Sequence, residues 1–227
     1  MRSAVVEAMP EIDLRGGAEQ RVLLARVGWS LYRSIAESIG DRAVPRLTYV
    51  DGDLELMAPS YLHELLADRL RYFVLALVRG LNLTVVSAGS ALWERADLDK
   101  GKKPDACFYV ANEPLVREVD EIDLEVHPPP DLAVEIEISC RLVDGLSVYS
   151  ALRVPEVWTF DGKKLEFLVL DNRLIYRESA RSRAFAQLTA AEAQDWLVRA
   201  HRRELTEWLT AVDSWVRDDL ARRVEGA

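Results

Sequence analysis

Two cysteines in 227 residues cannot make a disulfide framework. Cys107 and Cys140 both lie in apolar, strand-like context and read as buried thiols. Histidine is scarce too. His63, His127 and His201 have no metal-ligand spacing between them, which sets aside an imidazole-based zinc site and leaves each as a surface or core histidine. No stretch reaches the roughly 18 uncharged apolar residues of a membrane span, and the N-terminus Met1 to Glu7 lacks the apolar core of a signal peptide. The expectation is a cytoplasmic protein with no membrane partner. Positive charge is also short: 29 Lys and Arg against 38 Asp and Glu give a formal net charge of −9, so the long-range field repels a polyanion. Local patches escape that argument. From Arg173 to Arg203, seven arginines stand against Glu178, Glu192 and Asp195. Two readings of that stretch are open: solvated faces of a hairpin and a helix, or a phosphate-binding surface.

What remains is ordinary for a soluble globular chain, 49% hydrophobic and 30% charged residues, with no internal repeat and no Gly/Ser linker. Helical spacing runs through Trp29, Leu31, Tyr32, Ile35 and Ile39 and stops at Gly40. Two short strands flank Asp51-Gly52 between Arg46 and Met57, a hairpin signal. Ser60 is placed to cap a helix from Tyr61 to Gly80 whose Leu62, Leu65, Leu66, Leu70, Phe73, Val74, Leu77 and Val78 form one apolar stripe. Strand-like runs follow at Leu83 to Ser87, Pro104 to Val110, Leu132 to Ser139, Glu156 to Phe160, Leu165 to Leu170 and Leu174 to Glu178, the last three as an antiparallel meander. From Thr189 to Val224 an amphipathic pattern carries Trp196, Trp208 and Trp215, a stripe that either closes the core or joins subunits. The pattern predicts a single α+β domain: a tail over 1–20, a core over 21–188 and a helical segment over 189–227.

The segment Asp131-Leu132-Ala133-Val134-Glu135-Ile136-Glu137-Ile138-Ser139 puts two carboxylates inside an apolar strand. Side chains at i and i+2 share a face about 6.6 to 7 Å apart, so Glu135 and Glu137 point one way and the aliphatic residues the other. That face is either an ordinary wet face or a place for a cation. Asp105, in Lys103-Pro104-Asp105-Ala106-Cys107-Phe108, starts another strand, and Glu64 lies on the long helix. A carboxylate on a helix and on each of two strands is the layout of a site for a hard divalent cation. Clustered carboxylates repel unless a metal or basic groups compensate.

These blocks, the hairpin running into "M-A-P-S-Y-L-H-E", "K-P-D-A-C-F-Y-V", "P-P-D-L-A-V-E-I-E-I-S" and "V-Y-S-A-L-R-V-P-E-V-W", resemble in order and spacing the Uma-type family of restriction-endonuclease-like proteins in the PD-(D/E)XK nuclease superfamily. The resemblance implies a mixed sheet flanked by helices, with antiparallel hairpin additions and C-terminal helices, and cleavage of DNA phosphodiester bonds with Mg²⁺ or its substitute Mn²⁺. It also implies a homodimer. Asp105 and Glu135 match the two metal-ligating carboxylates, and Glu64 matches the helical acid that can join them. The superfamily's lysine, two residues after the second carboxylate, is replaced by Glu137, read either as a further ligand or as a group ordering water. Where related members carry a lysine before the "Y-x-A-L" block, this chain has Gly145. Lys103, at i−2 from Asp105, is either a substitute for that lysine or a solvated member of the Lys100 to Lys103 run. The rival reading is a nuclease-fold protein that has lost cleavage and acts as a binding module.

Overall fold

The structure is a computed structural model and describes residues 19–40, 42 and 44–223. All but Glu19 and Gln20 of the expected N-terminal tail lies outside the described residues. Two sheets organise the chain. The first is wholly antiparallel, in the order β1 (Gln20–Leu24), β3 (Asp53–Ala58), β2 (Arg46–Val50), β6 (Lys100–Lys102), β5 (Trp93–Arg95). The second runs β11 (Tyr176–Ser179), β10 (Leu165–Leu170), β9 (Glu156–Phe160), β8 (Leu132–Ile136), β7 (Ala106–Tyr109), β4 (Val86–Gly89). Only β8 and β9 pair in parallel there, joined by the crossover helix α4 (Gly145–Ala151). The fold is α+β with mixed sheet pairing, as expected for a restriction-endonuclease-like domain.

Local chemistry explains most elements. The β2–β3 hairpin turns at Asp51 and Gly52, both at positive φ, the backbone that a two-residue turn of this kind requires. Helix α2 (Tyr61–Gly80) starts where the Ser60 hydroxyl accepts the His63 N–H, and its apolar stripe buries Leu66, Leu70, Phe73, Val74 and Leu77. Each such side chain contributes roughly 1.5–3 kcal/mol by leaving water, before chain entropy is subtracted. Beyond α1 (Trp29–Ile39) and the single-turn α3 (Glu113–Val116), helices α5 (Ala190–Leu197) and α6 (Leu205–Trp215) complete the set.

Strand alternation divides the core. Phe108, Val134, Ile136, Trp158 and Phe167 point to the α2, α5 and α6 side, where Trp208, Val212 and Val216 are buried with them. The tryptophan stripe therefore closes the core: Trp208 is fully buried, and Trp196 and Trp215 pack against the same cluster. Cys107, Tyr109, Ala133 and Val157 point to the opposite side, against Val148 and Tyr149 of α4. A third cluster joins α1 to the first sheet through stacked Tyr32 and Tyr49. Strand β8 ends at Ile136, three residues earlier than its pattern suggests. Residues 137–144 are therefore a loop, and Cys140 is exposed, correcting the expectation of a buried thiol; Cys107 is buried. Among the described residues no helix is long and apolar enough to cross a membrane.

Candidate functional site

The site is built where the chain changes sheets. Lys102 pairs with Thr48 at the end of β6. The next N–H, that of Lys103, still donates to Leu47 O in the first sheet at 2.8 Å, whereas Asp105 N donates to Val134 O in the second at 3.2 Å. Pro104 between them has no N–H to give either ladder. The period-two alternation that would put Lys103 beside Asp105 does not survive such a step. Lys103 Nζ instead donates to Arg42 O at 2.7 Å and Gly40 O at 3.5 Å, beyond the end of α1. Lys103 also lines the cleft that holds Glu135 and Arg141, and it is buried rather than a solvated member of the basic run.

Lys102 is the lysine that meets the carboxylates. Its Nζ lies 3.3 Å from Glu135 Oε1 and 3.2 Å from Thr48 Oγ1, and 5.6 Å from the centre of the Tyr149 ring. Burial lowers its pKa, against the opposing pull of Glu135. Sequence reasoning missed it because it reads as one of a solvated lysine run and lies on a strand with almost no apolar pattern. Gly145 falls into place at the same time. A β-carbon there would sit 3.2 Å from Lys102 Nζ and closer still to the Arg141 guanidinium, so the volume that a side chain at 145 would start from is already held by cations.

Asp105 is 1% exposed and saturated with donors. Oδ2 accepts the Ile136 N–H at 2.7 Å; Oδ1 faces His63 Nε2 at 2.8 Å and Arg46 Nε at 2.5 Å. Burial alone would raise its pKa, but His63 and Arg46 hold it well below the usual carboxylate range. The other His63 nitrogen meets Glu19, whose carboxylate also takes Arg21 at 2.8 Å and the Ser139 hydroxyl. Burial disfavours the charged imidazole, yet Asp105 and Glu19 outweigh it and raise the His63 pKa to about 9. Glu19 is likewise held down, against its own burial, to about 2, chiefly by His63 and Ser139. His63 is thus a satisfied core histidine, and Glu19, at the edge of the expected tail, belongs to the site.

Glu135 and Glu137 do share a face. Arg141, on the loop after β8, places Nη2 2.8 Å from Glu135 Oε2 and 2.6 Å from Glu137 Oε1, bridging the pair. Glu135 is 5% exposed and also accepts the Tyr149 hydroxyl. Glu137 is a third exposed, and burial first, then Glu135, raises its pKa, with Arg141 opposing. Glu64 is half exposed and one step removed: it pairs with Arg46 Nη2 at 3.0 Å, and Arg46 in turn meets Asp105.

Basic side chains compensate these carboxylates. Arg21, Arg46, Lys102, Arg141 and His63 face Glu19, Glu55, Asp105, Glu135 and Glu137, and the cleft among them keeps only about 10 Å³ of open space. Among the described residues no three metal-ligating side chains converge on one point. Carboxylates are the donor type a hard divalent cation takes, and Glu135 and Glu137 share Arg141 as a partner, so a cation of that class fits this pair, with Asp105 on the neighbouring strand already engaged by Ile136 N, His63 and Arg46. Arg141 holds the oxygens of Glu135 and Glu137 that such an ion would use.

No curated protein matches the chain. The model of the Uma2 family, described as "Putative restriction endonuclease", matches residues 29–217, a span that contains α1, both sheets from β2 to β11 and every expected site residue. The chain belongs to this restriction-endonuclease-like family.

Proposed function

We propose that the chain is a DNA endonuclease that hydrolyses phosphodiester bonds at the cleft between its two sheets, with Mg²⁺ as cofactor and Mn²⁺ as its substitute. The observation that carries the reading is Lys102: an ammonium set against the second carboxylate, supplied from the other sheet in place of the position now held by Glu137. Restriction-endonuclease-like proteins usually use a divalent metal. Asp105 and Glu135 would hold it, with Glu137 beside them; when bound it supplies positive charge to the phosphate and a lowered pKa for attacking water.

This chain's own residues do the rest. Lys102 donates hydrogen bonds from Nζ toward the phosphate and the attacking water, inside a cleft where low dielectric strengthens them. Glu137, the most accessible of the three carboxylates and the one whose pKa burial raises, accepts the proton of that water. The fixed ion pairs and hydrogen bonds of Asp105 to Arg46, His63 and Ile136 N hold the first carboxylate without freedom to swing. Arg141, carried on a loop, bridges Glu135 and Glu137 and would have to release them for a cation to take their oxygens. Two copies acting together would cut both strands.

The rival reading, a binding module without cleavage, is favoured by one observation, the closed and charge-balanced cleft. Plasmid cleavage with Mg²⁺ or Mn²⁺ decides. Lys102→Ala is expected to lower the rate by about 10²- to 10⁴-fold, the usual worth of a well-placed proton-transfer or hydrogen-bonding group, while Lys103→Ala leaves it within a factor of about two. A Lys102→Ala variant that cleaves as well as wild type removes that residue from the mechanism. Wild type that never cleaves leaves the binding module.

A further inference from the structure

The arginine-rich stretch singled out in the sequence divides in the structure. In its first half Arg177 pairs with Asp171 at 3.0 Å and Arg181 donates to Gln187 O, while Arg173 and Arg183 are exposed and line no groove with the others. Its second half is different. Arg199, Arg202 and Arg203 are exposed on the turn between α5 and α6, around an open groove of about 610 Å³. The opposite wall is the β9–β10 turn with Lys163, and Leu62 and Leu66 of α2 form the floor. Among the described residues no carboxylate lies within ion-pair distance of any of these four cations. Asp161, the one acid among the residues lining the groove, turns Oδ1 into its own turn, accepting the N–H groups of Lys163 and Lys164 at 2.7 and 2.6 Å.

The arginine turn is held in place rather than loose. Ala200 is fully buried, and Arg69 of α2, lying over Trp208, donates to Arg203 O. The field it makes is felt within it: burial and then the positive charges of Arg202 and Arg69 lower the His201 pKa. Position also matters. Glu137 N donates to Phe160 O at 2.9 Å, and Asp161 of the rim is the next residue, so groove and carboxylate cleft lie at the same end of the parallel pair β8 and β9.

We propose that this groove is the track for a nucleic-acid strand, its phosphates held by Lys163, Arg199, Arg202 and Arg203 beside the cleft. The inference rests on the endonuclease reading for its ligand class and explains how a chain of net charge −9 attracts a polyanion: four unpaired cations on one rim outweigh the distant negative field within a Debye length of about 10 Å. Four phosphate contacts correspond to a slope of about −3.6 in log affinity against log salt.

The test measures binding of fluorescein-labelled 20-base-pair DNA and RNA duplexes in EDTA, so that cleavage plays no part. Wild type is compared with the triple variant Arg199→Ala, Arg202→Ala, Arg203→Ala, with Lys163→Glu from the other wall, and with Arg173→Ala, Arg177→Ala, Arg181→Ala as the control. Expected are at least about tenfold weaker binding and a salt slope shallower by about 3 for the groove triple, with weaker binding for Lys163→Glu as well. The control should match wild type. Equal losses on DNA and RNA identify backbone charge as the ligand; loss on one alone assigns that nucleic acid. Unchanged affinity and slope in both groove variants, or an equal loss in the control, overturns the proposal. Groove-dependent binding by a protein that never cleaves keeps the track and sinks the endonuclease, whereas cleavage with groove-independent binding does the reverse.

Discussion

The cleft and the groove use charge in opposite ways. In the cleft five acids and five bases are packed until about 10 Å³ remains; on the groove four cations surround about 610 Å³ with no acid, among the described residues, within ion-pair distance of them. Both lie at one end of β8 and β9. Buried charge has to be answered from within the protein, because desolvation makes an unpaired ion cost several kcal/mol, whereas exposed charge can wait in water for a partner. The comparison separates a region whose charges hold the fold from one whose charges are free for a ligand.

The sharpest way to break this contrast is to remove one buried acid. Glu135→Ala strands Lys102 and the Tyr149 hydroxyl in the interior and takes one of two carboxylates from Arg141, so a loss of about 3–5 kcal/mol in unfolding free energy is expected in metal-free buffer. The mutual repulsion of the carboxylates, read from sequence alone, predicts no loss. Chemical denaturation with urea settles which holds, and a variant as stable as wild type would show that the ion pairs of the cleft contribute nothing.

A smaller effect comes from pH. His63 has a folded pKa raised to about 9, so its contribution, on the order of 3 kcal/mol, is complete below about pH 6.5 and is lost as pH rises toward 9. Glu19 and Asp105 are depressed, so their contributions are complete above the ordinary carboxylate range and are lost as pH falls toward 2. Stability should therefore peak between about pH 4.5 and 6.5, and His63→Gln should flatten the alkaline limb. A profile flat from pH 6.5 to 9 in wild type would contradict the charged imidazole. The smallest expected effect concerns Arg141. Removing the guanidinium that bridges Glu135 and Glu137 should tighten Mn²⁺ binding by about tenfold in Arg141→Ala, read by calorimetry or by electron paramagnetic resonance, since one competing cation is gone. Weaker Mn²⁺ binding in that variant would make Arg141 a helper instead of a competitor.

Elements with a strong apolar period were legible in the sequence. Helix α2 runs over the predicted Tyr61 to Gly80, strands β9 and β10 have the predicted limits, and the Asp51-Gly52 hairpin turns where its residues demand. Strands β5 and β6 were invisible, because Trp93–Arg95 and Lys100–Lys102 pair by backbone hydrogen bonds with hardly any apolar alternation to announce them. The site followed the same division. Asp105, Glu135 and Glu137 stand out as carboxylates in apolar strands, whereas Lys102 hides in a basic run and Glu19 in what reads as a tail. His63 was readable only as a surface or core histidine; its two carboxylate partners, which settle it as core, lie 42 and 44 residues away in sequence. Pairings of that separation are set by topology, which local pattern does not carry.

The crossing at Pro104 acts as a ruler. One end is pinned to the first sheet through Lys103 N and Leu47 O, the other to the second through Asp105 N and Val134 O. Two residues of extended chain span at most about 7 Å, which fixes how far the ladders stand apart at that point. The backbone positions from which Lys102 and Asp105 send their side chains are thus spaced by covalent length. Inserting a single residue would lengthen the ruler by about 3.4 Å, more than a hydrogen bond, and would dismantle the constellation while leaving both sheets intact.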